Sequence, residues 1–460
     1  MLTALPHLAR LPGMPRQAPA PRPQRGVAAL TVVMVLFFVM ALVAAYTNRN
    51  LIFEQRISLA NYRVARAVTA ADGSLNWAIG LLNAGRINSA CRPSTDLADV
   101  DWRRMAMDVP GPQYAAPEGS YALPWDFNSL SVRVWGCVMA NGQMSCACPT
   151  TSTPNPTITP PDDGRGTAFH VSLYIPEQAR PIPGMLGVLG FACGSLGTGA
   201  SNCARSSSYA GRPQVDGIGG ASEVVGLLRA LPLGPPAALV VGGAVNAAAG
   251  TLLVVNPDAT SGYTVFSGGA YTAGTGDRFV RPAGTAGEGR IHGIGGLSAL
   301  AALPNDGWFR NLFAMDKPSY AIQPAARVID CSGGCTDADV LPVLRGYPRS
   351  PIVLNGSLNI ANAATLGNAD PTVDEPAMLV IHGALTISGN ATIYGYLHAE
   401  SVTWSATTAT VRGAMMTPGN FTVTGTARLA FDKAAVDMVK YRYGSFVRAP
   451  GTWNLRENYR

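Results

Sequence analysis

The sequence predicts an α+β fold in three parts: a long N-terminal helix that begins as a transmembrane segment, a disulfide-stapled β-rich head, and a C-terminal β-solenoid. Three observations carry this prediction. Residues 27–46 form an uncharged apolar run, preceded by Arg10, Arg16, Arg22 and Arg25 and by no acidic residue. All eight cysteines lie C-terminal to that run. Near the C terminus, glycines fall at 383, 389 and 395 and again at 413, 419 and 425, in steps of six. The domain boundaries that follow are a basic cytoplasmic leader at 1–26, the long helix at 27–85, the head at 86–345, and solenoid repeats with a cap at 346–460.

The helix comes first. Twenty apolar residues in an α-helix span about 30 Å, the thickness of a bilayer core. A secretory signal has a shorter apolar core of about 7–15 residues. The four leader arginines place the N terminus in the cytoplasm and export the rest. Past the span no proline occurs through Leu82, and glycine is confined to Gly73 and Gly80. Leu51, Ile57, Tyr62, Val64, Ala67, Val68, Ala71, Leu75, Ala78 and Leu82 recur at helical spacing among arginines and asparagines. The spacing predicts one continuous helix whose second part lays an Ala-rich stripe on a globular body. It ends near Asn83-Ala84-Gly85, where Gly85 reads as a C-cap.

A basic leader ending in glycine, an apolar half-helix and an amphipathic half-helix together resemble the type IV pilin layout. The string Gln24-Arg25-Gly26-Val27-Ala28 is similar to PilX-type minor pilins (pilus assembly proteins). So are Glu54-Gln55-Arg56 and the Ala-rich stretch 65–71, and the resemblance is best over 24–85. It implies that prepilin peptidase cuts between Gly26 and Val27, and that the new N terminus is methylated. The helix would then be retained, first as an inner-membrane anchor with the body in the periplasm, later in a filament core. It also implies partners: other minor pilins and pilus subunits, the peptidase, and a candidate tip adhesin. Thr31, Glu54 and Arg56 are the implied filament-packing positions.

One departure matters. Thr31 stands at the fifth mature position, where major pilins carry a Glu that is costly in a bilayer until it pairs with a neighbour's N-terminal amine. Its loss suits a priming or tip subunit better than the repeating fibre. Three alternatives stand beside this reading. One is an uncut single-pass envelope protein that binds glycan or protein, for which an exposed groove of Trp404 with Tyr394 or Tyr396 would argue. Another is a secretory signal cut after Val43-Ala44-Ala45. The last is a tip pseudopilin of type II secretion.

The exported body gives few helical periods. Strand-like alternation appears in LSVRVW at 130–135 and AFHVSLY at 168–174, with a Pro/Thr-rich loop at 149–161 between them. Short strands with glycine turns follow at 240–246, 251–258 and 262–270. Helical pieces are expected at 221–230 and, broken around Pro304, within 296–315. Charged residues make up only 13 %, and 51 Gly with 35 Pro favour turn-rich β structure.

An even cysteine count on the exported side fits an oxidising compartment. The spacings point to 193–203, to 331–335, and to Cys137 with Cys146 or Cys148, leaving Cys91 for the remaining partner. Reduced cysteines in a cytosolic protein are the alternative. A metal reading needs Cys-x2-Cys pairs with His partners, and that spacing is lacking, so neither metal nor cofactor is expected.

In the C-terminal quarter, GSLNI at 356–360 recurs as GALTI at 383–387, and GNATIYG at 389–395 recurs thirty residues on as GNFTVTG at 419–425. Short strands with a turn residue at fixed intervals mark a β-solenoid. A meander with glycine turns is the alternative. Residues 441–460 would cap the open end.

The net charge of +6 is spread along the chain without basic–aromatic clustering, which gives nucleic-acid binding no support. Of five histidines, His7, His170, His292, His382 and His398, only the last two fall within one predicted repeat region. Acidic residues do not recur at coil spacing, and no nucleophile elbow, phosphate loop or His-Glu-x-x-His occurs. No catalytic residue is expected; the chemistry is assembly.

Overall fold

The computed structural model describes residues 25–107, 135–140, 142–148, 166–176, 182, 184–193, 217–260, 262–282, 291–293, 302, 304–370 and 373–455. It is a mixed helix and strand fold in two compact units, residues 1–60 and 61–460. A single unbroken helix, α1 (Arg25–Leu82), runs through the boundary.

From residue 61 onward α1 belongs to the larger unit, and its packing follows from the side chains. Ala67, Ala71, Leu75, Ala78 and Leu82 are fully buried, at spacings of four, four, three and four. They lie on an antiparallel sheet, with Trp135, Phe169, Val171, Leu173, Leu186, Val188, Val225 and Phe446 completing the core. The sheet meets small residues with small residues. A Cβ on Gly190 would overlap the Ser74 hydroxyl, and one on Gly219 would sit 2.6 Å from the Ala67 carbonyl carbon. Helix and strands therefore approach at backbone distance. Gly85 does not take the left-handed φ of a cap. Its lack of a side chain serves a close approach instead, because a Cβ there would overlap the Gly346 carbonyl. Asn83 finishes the helix, its amide donating to the Ile79 carbonyl at 3.0 Å and to the Phe446 carbonyl at 2.9 Å.

The antiparallel sheet is ordered Gly444–Arg448, Ile218–Arg229, Met185–Cys193, Thr167–Tyr174, Trp135–Ala140, Gln143–Ala147. Two expectations are corrected here. Residues 221–230 are not helical: 221–229 lie in the strand Ile218–Arg229, which pairs on both sides, and Ala230 falls just past the strand end. Two-sided pairing outweighs the local helical pattern of an Ala/Leu/Glu segment. Nor does the C-terminal tail cap a stack of coils. Gly444–Arg448 and Asn454–Leu455 instead pair antiparallel with Ile218–Arg229, covering that edge of the head sheet.

Between described residues, three disulfides staple this unit: Cys137–Cys146, Cys91–Cys148 and Cys331–Cys335. Cys137 and Cys146 are directly opposed across a hairpin. Cys193 is also disulfide-bonded. Its expected partner Cys203 lies outside the described residues, as do 130–134 and the loop at 149–161.

The second sheet has 15 strands and is built from parallel pairs. One column of its register reads Arg327, Ile352, Leu379, Leu397, Met415, Leu239, Val265, Ile291. The step from Leu379 to Leu397 and from Leu397 to Met415 is 18 residues, which is three of the six-residue glycine steps. The step from Ile352 to Leu379 is 27. The thirty-residue repeat is therefore not the stacking period, and GNATIYG does not pair with GNFTVTG. Gly395 pairs with Gly413, and Phe421 pairs with Val402. The column is also out of chain order: after Met415 comes Leu239. The parallel sheet draws strands from both sides of residue 346, and the strands within 239–255 pair in parallel with those within 410–431.

Among the described residues, four short helices dress this sheet: α2 (Asn305–Phe313), α3 (Lys317–Ala321), α4 (Asp337–Gly346) and α5 (Lys433–Arg442). Of the helix expected within 296–315, broken around Pro304, the part after Pro304 is α2, with Pro304 at its N-cap; residues 296–301 lie outside the described residues.

Candidate functional site

Residues 29–60 of α1 are exposed throughout, including Phe37, Phe38, Met40 and Tyr46. This is the one helix among the described residues that is long and apolar enough to cross a membrane, with a mean hydropathy of 2.6 over its most apolar window. Gly26 and Val27 fall in its first turn. Thr31, Glu54 and Arg56 lie along the same segment and are exposed.

In the larger unit, a buried polar seam joins the head to the parallel sheet. Arg86 forks onto both carboxylate oxygens of Glu375 at 2.8 and 2.6 Å, and also donates to the carbonyls of Arg345 and Asp99, each at 2.9 Å. Burial pushes the Glu375 carboxyl up, and Arg86 opposes that push. Arg349 pairs with Asp101 at 2.9 Å. Arg103 donates to the carbonyls of Leu82 and Gly444 and lies 5.1 Å over the Phe446 ring. The sequence reading missed this seam. Its one signal, charged residues in an otherwise charge-poor chain, does not say which are buried.

His382 and His398 do come together, beneath α2 and α3. His398 is buried against Trp308 at 5.9 Å, Phe309 at 5.6 Å and Phe313 at 5.2 Å. Burial, with His382 and Lys317 nearby, lowers its pKa to about 3. His382 Nδ1 lies 3.2 Å from Asn355 Oδ1, and burial lowers its pKa as well. Lys317 bridges Glu400 at 2.5 Å and Asp306 at 3.6 Å beside them. Both imidazoles are thus held neutral in an aromatic core at neutral pH. His170 lies on the strand Thr167–Tyr174, its pKa lowered by burial to about 4. Among the described residues no cluster of three or more His, Cys, Asp or Glu is placed to hold a metal ion.

The aromatic groove expected to favour glycan binding is not there. Trp404 and Tyr396 are fully buried, and the Tyr394 hydroxyl donates to Asp374 at 2.7 Å beneath Arg412. The outward face of the parallel sheet carries something else. Its register aligns Thr336, Asn359, Thr386, Thr403, Thr422, Asn246 and Thr272 in one column across seven strands. The inward column beside it is Cys335, Leu358, Leu385, Val402, Phe421, Val245 and Tyr271, as the twofold alternation of a strand requires.

No protein-family model matches the chain, and no curated protein matches it. Among solved structures, the competence-associated pilin ComZ from Thermus thermophilus aligns at 8 % identity, covering 70 % of this chain and 87 % of that one, with a TM-score of 0.20. That score is below the level at which two chains share a fold.

Proposed function

We propose that this chain is a PilX-like minor pilin subunit that primes or caps assembly of a type IV pilus or a related filament. The observation that supports this most is α1 itself. One unbroken helix presents a bare apolar first half, and its second half lays an alanine stripe on an antiparallel sheet. The first half would sit in the inner membrane, cytoplasmic end first, and then move sideways into a bundle of like helices. The head would stay in the periplasm, where its disulfides persist. Prepilin peptidase would cut between Gly26 and Val27. Thr31 in place of a carboxylate removes the charge pair that a repeating subunit would make, so a terminal position fits. The parallel sheet reads as a β-solenoid of unequal coils, a bulk tolerated at a tip rather than along a packed fibre. In this reading the protein performs no catalysis and carries no cofactor.

The test is the N terminus of the protein isolated from membranes with and without prepilin peptidase, weighed by intact-mass spectrometry. A chain beginning at methylated Val27 only when the peptidase is present is the expected result. A chain beginning at Met1 in both hosts would leave an uncut anchor, and one beginning at Tyr46 a discarded signal; either overturns the proposal.

A further inference from the structure

We infer that the outward Thr/Asn column of the parallel sheet is a binding face for an extended, neutral polysaccharide. This stands on the sheet alone and does not depend on how the N terminus is processed.

The first argument is charge. On and beside the five consecutive strands from Asn359 to Asn246, the residues two before and two after each rung are Ser357 and Ala361, Ala384 and Ser388, Ser401 and Ser405, Asn420 and Thr424, Ala244 and Ala248, all exposed or half-buried. No charged side chain interrupts these fifteen places, in a chain with 34 basic and 28 acidic residues. Such a face offers nothing to phosphates, carboxylates or cations, and complements a neutral ligand. The second argument is hydrogen bonding. A threonine hydroxyl is both donor and acceptor, as is an amide, and so is every sugar hydroxyl. Among the described residues the hydroxyls of Thr386, Thr403, Thr422 and Thr272 make no hydrogen bond, whereas the neighbouring Ser388 hydroxyl donates to Asn359 Oδ1 at 2.9 Å. The third argument is repetition. The five uncharged rungs at the strand spacing of about 4.8 Å extend over roughly 19 Å, an array with one repeat per strand; the flanking rung at Thr336 is already held by the Asp339 carboxylate at 3.0 Å. A globular protein or a small molecule has no such period; a polymer of one repeating sugar does. With Trp404 and Tyr396 turned inward, the face would grip sugar edges by hydrogen bonds and not sugar faces by stacking.

The experiment uses the full chain in detergent micelles, sedimented with insoluble cellulose, chitin, mannan and β-1,3-glucan and, as an acidic control, with an alginate gel. Two double variants are compared: T403E/T422E on the column, and T365E/T392E on the separate column where Thr365 pairs with Thr392. Melting temperatures within a few degrees of the parent show that each variant folds. Retention by at least one neutral polymer, unchanged by 0.5 M salt (roughly fivefold the ionic strength at which the screening length is 10 Å), kept by T365E/T392E and weakened at least tenfold in T403E/T422E, is expected. Three results would overturn the inference: no retention on any neutral polymer, equal retention of the two variants, or preference for alginate. Retention on ice crystals alone would show that the array matches a water lattice, which also overturns the polysaccharide assignment.

Discussion

At the scale of single residues, absent side chains decide the fold as much as present ones. Gly190 and Gly219 sit where strands touch α1, and a valine at either position meets backbone atoms that cannot move aside. Overpacking of this kind costs about 1–3 kcal/mol. Gly226, seven residues farther along the same strand as Gly219, has open space around it. We expect G190V or G219V to lower the melting temperature by several degrees and G226A to leave it unchanged. Equal effects from all three would show that the close approach is not what these glycines are for. Such contacts are invisible in the sequence, where Gly190, Gly219 and Gly226 look alike.

Histidines make the same point with a sign attached. The folded pKa of His398 is about 3, against 6.5 for an exposed histidine. Below pH 6.5 the unfolded chain binds a proton that the folded chain refuses, so stability falls as pH drops from 6.5 toward 3. At pH 5 the loss from this one group is about 2 kcal/mol. His170, at about 4, adds to the slope in the same direction. The facing groups are the charged Lys317, Glu400 and Asp306 and the neutral imidazole of His382. Urea unfolding of the parent and of H398F at pH 5 and pH 7 should give a smaller difference between the two pH values in the variant. An unchanged difference would show that His398 is not held neutral.

At the scale of elements, α1 was legible from residue types alone, because the absence of proline and a four-four-three-four stripe admit one conformation. The strand Ile218–Arg229 was not. Its sequence satisfies a helical period, and only two-sided pairing makes it extended. The tail at 444–455 was misplaced for the same reason: nothing local tells a strand which of two sheets will accept it. The seam holding head and parallel sheet together was equally hidden, since it joins Arg86 to Glu375 across 289 residues. Removing one member strands a buried charge and costs about 3–5 kcal/mol. R86M alone should therefore destabilise strongly, whereas R86M/E375L should recover most of the loss. If the double variant is as unstable as the single, packing around the guanidinium matters more than its charge.

At the scale of the whole molecule, the parallel sheet is one stack made by two distant stretches of chain. The glycine steps of six were legible in the sequence, and three of them equal the 18-residue register step from Leu379 to Leu397 and from Leu397 to Met415. The join was not, because Met415 and Leu239 carry no mark of being neighbours. The join has a cost in folding. The stretch at 239–255 gains its second parallel neighbour only after residues 410–431 are made and folded, so its ordering waits on contacts of long sequence separation. It also has a consequence for cooperativity, since each strand of a parallel sheet is held by hydrogen bonds to the neighbours on its two sides. Gly413 lies in the stretch that pairs with 239–255, and at a φ of 138° its Cβ would overlap the Gly395 carbonyl. G413V should therefore loosen both sides of the join. Amide hydrogen exchange read by mass spectrometry should show 239–255 losing protection together with 392–417, although more than a hundred residues separate them in sequence. If 239–255 keeps its protection while 392–417 loses it, the two stretches are independent bodies that merely abut, and the stack is not a single cooperative structure.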